Sequence, residues 1–279
     1  MSKVGLILSG GIAKGAYQVG ALRAVQKYVD LNDIVAVSAA SVGALNAFAY
    51  CGGRLELATK MWADINKLKS RVNIYTLLRS DYLQGALNAM SKLKLKVPSF
   101  FLPVFRINGR KLIYQELVGM EREALKDHLN AAVSFITPYK MNGEYYYDGA
   151  LFDNIPVAPL KDLDLDYIIC IYFDKHNYMF ETPELNSKII KISFCEDDFF
   201  EKSLIFSREN TNKRIIEGED HANAVLEFVF SGGNDVEQIK KRIAHLNSIN
   251  KDQKLRITID TVLTNINKLS KRIARKEVQ

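Results

Sequence analysis

Val37-Ser38-Ala39-Ala40-Ser41-Val42-Gly43 joins a short apolar run, Asp33–Val37, to a small-residue segment of helical character that extends to about Ala49. Small residue, any residue, serine, any residue, glycine is the layout of a nucleophile elbow, with Ala39 where a first glycine usually stands. In such an elbow the serine occupies a sharp strand-to-helix turn, so its hydroxyl is presented rather than packed. Ala39 and Gly43 are small because the turn brings backbone against backbone. Ser41 is therefore the candidate nucleophile.

A second small-residue turn lies upstream. Val4–Leu8 is a compact apolar run stopped by Ser9-Gly10-Gly11, and Gly15–Tyr28 carries apolar residues at Tyr17, Val19, Leu22, Val25 and Tyr28, the spacing of a helix. After Ser41, Gly52-Gly53 ends one helical segment and Leu55–Ile65 begins another. Strand, helix, strand, helix in this order predicts a parallel sheet with right-handed crossovers. Ligand sites in such sheets lie at the carboxyl ends of the strands, and both turns fall there.

The loop Leu8-Ser9-Gly10-Gly11-Ile12-Ala13-Lys14-Gly15 offers backbone N–H groups at a helix N-terminus, a ready anion site. It is not a P-loop, because Ala16-Tyr17 rather than Lys-Ser/Thr follows the last glycine. Nor is it a dinucleotide fingerprint, since Ile12 stands where a glycine is required. An elbow serine needs such donors, and it also needs a base. Of the four histidines, His128, His176, His221 and His245, none stands in a recognisable motif, and chain order leaves His221 or His245 as the fallback. Asp148 is the better partner: a strand ending Tyr145-Tyr146-Tyr147 aims it at the carboxyl edge, and Gly149-Ala150 permits close approach. On local sequence alone Asp148-Gly149 is equally a turn. A carboxyl with an ordinary pKa of about 3.9 is a weak base, so this role requires a partly desolvated site.

Length suits one large domain or two small ones. The chain has 279 residues, 48% of them hydrophobic and 25% charged, enough for a sizeable core and against disorder. Met1-Ser2-Lys3 leads into an apolar run too short and wrongly flanked for a signal peptide, and Tyr167–Phe173 is strand length rather than membrane length. Cys51, Cys170 and Cys195 form no CxxC pair and read as reduced thiols of a cytoplasmic protein.

Residues from about 68 to 115 differ in character. Tyr82–Met90 reads as a short helix, Ser91–Pro98 alternates lysine with apolar groups, and Ser99–Phe105 packs three phenylalanines around Pro103. One reading is an inserted helical cap with a solvated basic face. The other is a lid that turns apolar groups toward acyl chains and lysines toward anionic head groups. Further strands are predicted over Ala131–Thr137, Glu144–Tyr147, Tyr167–Phe173 and Lys188–Phe194. Helices are predicted over Lys213–Phe230, broken at Gly218, and over Val236–Ile249. Ile259, Val262, Ile266, Leu269 and Ile273 predict a closing amphipathic helix. From Val236 onward there are eleven Lys/Arg against four Asp/Glu, within a net charge of +6. That basic tail suits a solvated helix or contact with an anionic membrane; no nucleic-acid motif accompanies it.

Together three segments resemble the patatin-like phospholipase family. Leu8–Tyr17 is similar to its glycine-rich loop and Val37–Ala47 to its elbow. Asp148-Gly149-Ala150 with Asn154-Ile155-Pro156-Val157 is similar to its aspartate motif. A weaker likeness continues through Ile205-Phe206-Ser207 and Ile215–Ala222. The resemblance implies a three-layer α/β/α fold with a mainly parallel sheet, related to α/β-hydrolases. It implies a catalytic domain over 1–230, with the cap at about 68–115, and leaves 231–279 as a basic helical extension. It further implies hydrolysis of fatty-acyl esters of phospholipids or lysophospholipids without cofactor or metal. Ser41 would be nucleophile and Asp148 proton acceptor. The N–H groups of Gly10, Gly11 and Ile12 would form the oxyanion hole, with Lys14 steadying the loop. An acyltransferase or thioesterase using the same pair, or a lipid-binding relative without turnover, are the alternatives. Two departures matter. Ile12 replaces a family glycine and would be strained at positive φ, while Ala39 in the elbow is a milder change.

Overall fold

β1 (Val4–Leu8) is buried at all five positions, and its alternate residues serve two different cores. Val4, Leu6 and Leu8 join the large hydrophobic cluster on one face of the sheet, whereas Ile7 joins a smaller cluster on the other. An apolar run of this kind is what a strand covered on both faces requires. β2 (Ile34–Ala39) and β7 (Tyr167–Phe173) flank β1 in parallel, and β9 (Ile189–Phe194) lies parallel outside β7. The computed structural model describes residues 2–65, 80–173, 177–178, 183–194, 208–249 and 252–253. Cys195, His176, the Ile205-Phe206-Ser207 likeness, the start of the expected insertion and the expected helix over 259–273 lie outside these residues.

β3 (Ser99–Arg106) continues the sheet beyond β2, again in parallel. Three antiparallel strands then close that side: β4 (Lys111–Glu116), β5 (Tyr139–Met141) and β6 (Glu144–Asp148). The neighbour order is β5-β6-β3-β2-β1-β7-β9, with β4 also on β3, and a separate short pair joins β8 (Asn177–Tyr178) to β10 (Asp252–Gln253). The large cluster is roofed by helices α1 (Gly15–Tyr28), α2 (Val42–Cys51), α3 (Leu55–Ile65), α4 (Asp81–Met90) and α5 (Arg122–Ala131). The segment around Ile155–Leu165 and the short α6 (Pro183–Ser187) cover the other face. α7 (Arg208–Phe230) and α8 (Val236–Ile249) are the last of the described helices. The α/β class with a central sheet flanked by helices is as expected, with an antiparallel margin added.

Four expectations change. Ser99–Phe105, read as part of a cap, is a strand of the central sheet, which leaves α4 as the described helix of the insertion. The strand's middle residues Leu102, Pro103 and Val104 are buried, and it pairs with β2, β4 and β6. Ala131–Thr137 is not a strand: Ala131 ends α5, and Ser134 folds back so that its hydroxyl donates to Asn130 C=O at 2.8 Å. Gly218 does not break α7, because the glycine is where α1 and α7 touch. Finally, Ser91–Pro98 lies at the amino edge of the sheet. Lys96 N–H donates to Cys51 C=O at 2.9 Å, and Cys51 ends the ten-residue helix that Ser41 begins, roughly 15 Å away. Those lysines are at the wrong end to close over Ser41.

Candidate active site

β2 leads into the elbow, and the register of β3 explains how Asp148 reaches it. Phe101 is shared between Ser38 of β2 and Glu116 of β4, so these strands occupy opposite edges of β3. Val104 is shared in the same way between Ile113 of β4 and Asp148 of β6. β6 therefore lies on the edge that β2 has just vacated, pointing at it end to end. Ser38 and Asp148 attach to β3 three residues apart, roughly 10 Å, and Ser41 fills the interval. Pro103 sits in that gap, where the ladder is interrupted and a missing N–H is tolerated. Gly149 crosses it closely: a Cβ there would fall 2.3 Å from the Pro103 carbonyl.

Ser41 has φ 54° and ψ −136° and precedes the first turn of α2. Positive φ at a non-glycine residue is uncommon and costs on the order of 1–3 kcal/mol. A serine before a helix ordinarily caps it by accepting from a backbone N–H, but the Ser41 side chain makes no such bond. Its hydroxyl is hydrogen-bonded to Asp148 instead. The turn holds because Gly43 passes the end of β1, where a Cβ would stand 2.4 Å from Ser9 C=O. The positive end of the α2 dipole points at Ser41 and favours negative charge there.

Asp148 is 1% exposed and Ser41 7%. Burial pushes the Asp148 carboxyl up to about 7, against the opposing pull of the Ser41 hydroxyl and the Ala150 N–H. The Ala150 bond measures 2.9 Å, and Asp148 N–H donates to Ser134 C=O at 3.0 Å. A carboxyl poised near neutrality is suited to taking and returning a proton. The three described histidines are engaged elsewhere. His128 Nδ1 is 2.8 Å from Ala124 C=O, His221 bonds the Ser193 backbone and packs on Phe194, and His245 stacks on Phe228.

The glycine loop lies against the pair. A Cβ on Gly10 would be 2.8 Å from Ser41 Cβ, so only glycine allows this approach. Gly10 nevertheless departs from its expected role as an oxyanion donor. Its N–H donates to Asn154 Oδ1 at 3.0 Å, and Asn154 Nδ2 donates back to Gly10 C=O at 3.4 Å. Gly11 and Ile12 open a 3-10 turn, so their N–H groups have no acceptor within it. Ile12 sits at φ 49°, the positive value its replacement of glycine put in question. Lys14 is buried beneath the loop, and Arg214 of α7 donates to Ala13 C=O at 3.5 Å. Ala39 is fully buried at the end of β2.

Sequence reading missed the polar frame behind this loop. Gln18 Nε2 donates to Ser9 C=O at 2.7 Å. Asn46 Nδ2 donates to Gly15 C=O at 2.8 Å and to Gln18 Oε1 at 3.0 Å, and the Trp62 indole donates to Asn46 Oδ1 at 3.1 Å. The available signal was Asn46, the one amide in the otherwise small and apolar α2, and Gln18 among the small and apolar residues that open α1, since a buried polar group must find partners.

Fold and site together define an α/β protein with an elbow serine hydrogen-bonded to a buried aspartate at the carboxyl edge of its sheet. A family model described as patatin-like phospholipase matches residues 6–161, more than half of the chain, which therefore belongs to the patatin-like phospholipase family. Uncharacterised NTE family proteins of Mycobacterium bovis and Mycobacterium tuberculosis are 24% identical over 180 residues, covering 61% of this chain and 48% of theirs. The chain thus spans about half the length of these curated relatives. The crystal structure of VipD from Legionella pneumophila superposes with a TM-score of 0.51 at 13% identity, covering 81% of this chain and 67% of that one.

Proposed function

We propose that this chain is a lipid acyl hydrolase that cleaves fatty-acyl esters of phospholipids or lysophospholipids through Ser41 and Asp148. The observation that carries the reading is the hydrogen bond between an elbow hydroxyl with no capping duty and a carboxylate poised near pH 7. Ser41 Oγ attacks the ester carbonyl while its proton passes to Asp148. The oxyanion is met by the N–H groups of Gly11 and Ile12 and by the α2 N-terminus. Asp148 returns the proton to the departing alkoxide, leaving an acyl-serine. Water then attacks, giving its proton to Asp148, and collapse of that intermediate releases the fatty acid as Ser41 regains its hydrogen. Family membership supports the lipid substrate. Among the described residues no helix is long and apolar enough to cross a membrane, so the substrate would be met at a surface.

The experiment is an ester panel with the purified chain, wild type beside Ser41→Ala and Asp148→Asn, with fluorophosphonate labelling in parallel. Each substitution is expected to abolish hydrolysis while the thermal melt stays cooperative, and Ser41→Ala to abolish labelling. Undiminished turnover in either variant refutes the pair. Labelling with transfer to an added alcohol in preference to water identifies an acyltransferase, and absence of labelling a lipid-binding relative.

A further inference from the structure

Two hairpin turns stand on the same side of the sheet as Ser41. Residues 107–110 join β3 to β4, and residues 142–143 join β5 to β6. β3 runs on past the level of the elbow, and β6 begins beyond it, so both turns project outward from the carboxyl edge. Glu144, at the start of β6, is four residues from Asp148, roughly 13 Å along the strand. The tips are tied to each other: Ile107 N–H donates to Tyr145 C=O at 2.9 Å, and Arg106 pairs with Glu144 at 3.6 Å. Between them lies an open concavity of about 740 Å³ walled by Ile107, Arg110, Gly143 and Tyr145, and neither Ser41 nor Asp148 lines it.

The composition of these tips is one-sided. Arg106, Arg110, Lys111 and Lys140 face one carboxylate, Glu144, which Arg106 already engages. Ile107 and Tyr145 are 38% and 47% exposed and are adjacent rather than scattered. Lys140 Nζ lies 5.7 Å from the centroid of the Tyr145 ring. A tyrosine has an apolar body and a polar end, which suits the boundary between water and hydrocarbon. Surface cations beside it suit a layer of anionic head groups.

We propose that the two hairpin tips dock the chain onto an anionic lipid bilayer. Ile107 and Tyr145 enter the head-group layer, and Arg110, Lys111 and Lys140 meet its negative charge. The proposal rests on the reading of the site as a lipid hydrolase and adds the surface that presents Ser41 to its substrate, because docking through these tips turns the carboxyl edge toward the membrane. Lys92, Lys94 and Lys96, at the opposite edge, cannot serve the same orientation.

The test uses full-length Ser41→Ala protein, so that binding is read without turnover. It is sedimented with phosphatidylcholine vesicles and with vesicles that also contain phosphatidylserine. Binding is expected to the anionic vesicles, weakened by salt, and to fall about five-fold for each cation removed in Arg110→Ser and Lys111→Ser. Ile107→Ser with Tyr145→Ser is expected to weaken it as well, and Lys92→Ser with Lys94→Ser to leave it unchanged. In the Ser41 background the tip variants should lose hydrolysis of vesicle phospholipid yet keep hydrolysis of a water-soluble short-chain ester. Unchanged binding by the tip variants, equal binding to neutral vesicles, or equal loss in the Lys92 and Lys94 variant overturns the proposal. Tip-dependent binding with no ester cleaved by wild type leaves docking standing and removes the hydrolase.

Discussion

At the scale of single residues the site is a balance of strain and burial. The carboxyl of Asp148 is held near 7 by burial, whereas an unfolded chain releases that proton near 3.9. Between these values the folded state holds the proton more tightly, so this group costs stability as pH rises from about 4 to 7, and the full cost persists above. The size is on the order of 4 kcal/mol. Asp148→Asn should therefore melt at nearly the wild-type temperature near pH 4 and increasingly above it toward pH 8, a series that calorimetry can follow. The catalytic reading requires the charged form, so kcat/KM should rise with pH through about 7. A limb near 4 would mean that the carboxyl is not desolvated during turnover. Asn154 is a positioning residue in this picture, because it holds both backbone groups of Gly10 while touching no reacting atom. Asn154→Ala should lower kcat by about a hundred-fold, the cost of a misplacement near 1 Å, with KM little changed. Loss confined to KM would place Asn154 in binding instead. Ile12→Gly should keep turnover within a few-fold, since the proposed donor is the backbone N–H and not the side chain.

Among elements, the crossing of α1 and α7 fixes the loop from behind. A Cβ on Gly20 would lie 1.9 Å from Ile215 C=O, and one on Gly218 would lie 2.2 Å from Tyr17 C=O. The two glycines meet the opposite backbones reciprocally, and Arg214, one turn before Gly218, reaches the carbonyl of Ala13. In an isolated helix Gly→Ala gains about 1 kcal/mol. Here each change, Gly20→Ala or Gly218→Ala, should instead destabilise by roughly 1–3 kcal/mol, as overpacking does, seen as a lower denaturation midpoint. Higher stability in either variant would show that the helices can part without cost. Gly218 also marks what the sequence could and could not say. Glycine in a helical pattern reads as a break, and only the partner's backbone, about two hundred residues away, makes it a contact. The Ser41 elbow and the glycine loop were legible because turn chemistry is local and the spacing to the next element short, whereas Asp148-Gly149 reads equally as a turn and drew its weight from the other two segments. Pro103 pointed the other way: its ring and three phenylalanines suggested an inserted cap. A gap in a ladder, which is where β3 carries it, is invisible until strands are paired. Ala131–Thr137 was apolar enough for a strand, yet its start belongs to the end of an amphipathic helix.

On the scale of the whole molecule, the extent of the folded body that carries Ser41 and Asp148 is set by what packs into its core. The resemblance placed a boundary at residue 230 and left residues 231–279 as a basic extension. α8 argues otherwise. Ile239 and Ile243 are fully buried within the same cluster that holds β1, α1 and α2. Asn247 Nδ2 donates to Asn186 C=O at 2.9 Å, joining α8 to the segment before β9. The basic surplus of the tail hid this, because lysine and arginine on one face of a helix say nothing of the face that packs. Burying two isoleucines contributes what their removal would cost, about 2–5 kcal/mol each when cut to alanine, a large share of a typical total of about 5–15 kcal/mol. A chain ending after Phe230 should therefore be insoluble or molten, with its near-ultraviolet circular dichroism lost and no ester turnover. Full-length Ile239→Ala with Ile243→Ala should fold but melt well below wild type, with kcat kept at low temperature because neither side chain supplies a group that the proposed reaction uses. A soluble, cooperative and active 1–230 fragment would restore the boundary and make α8 an appendage. The expected pattern, collapse of the fragment beside a merely weakened double variant, makes the last described helix part of the body that holds the elbow in place.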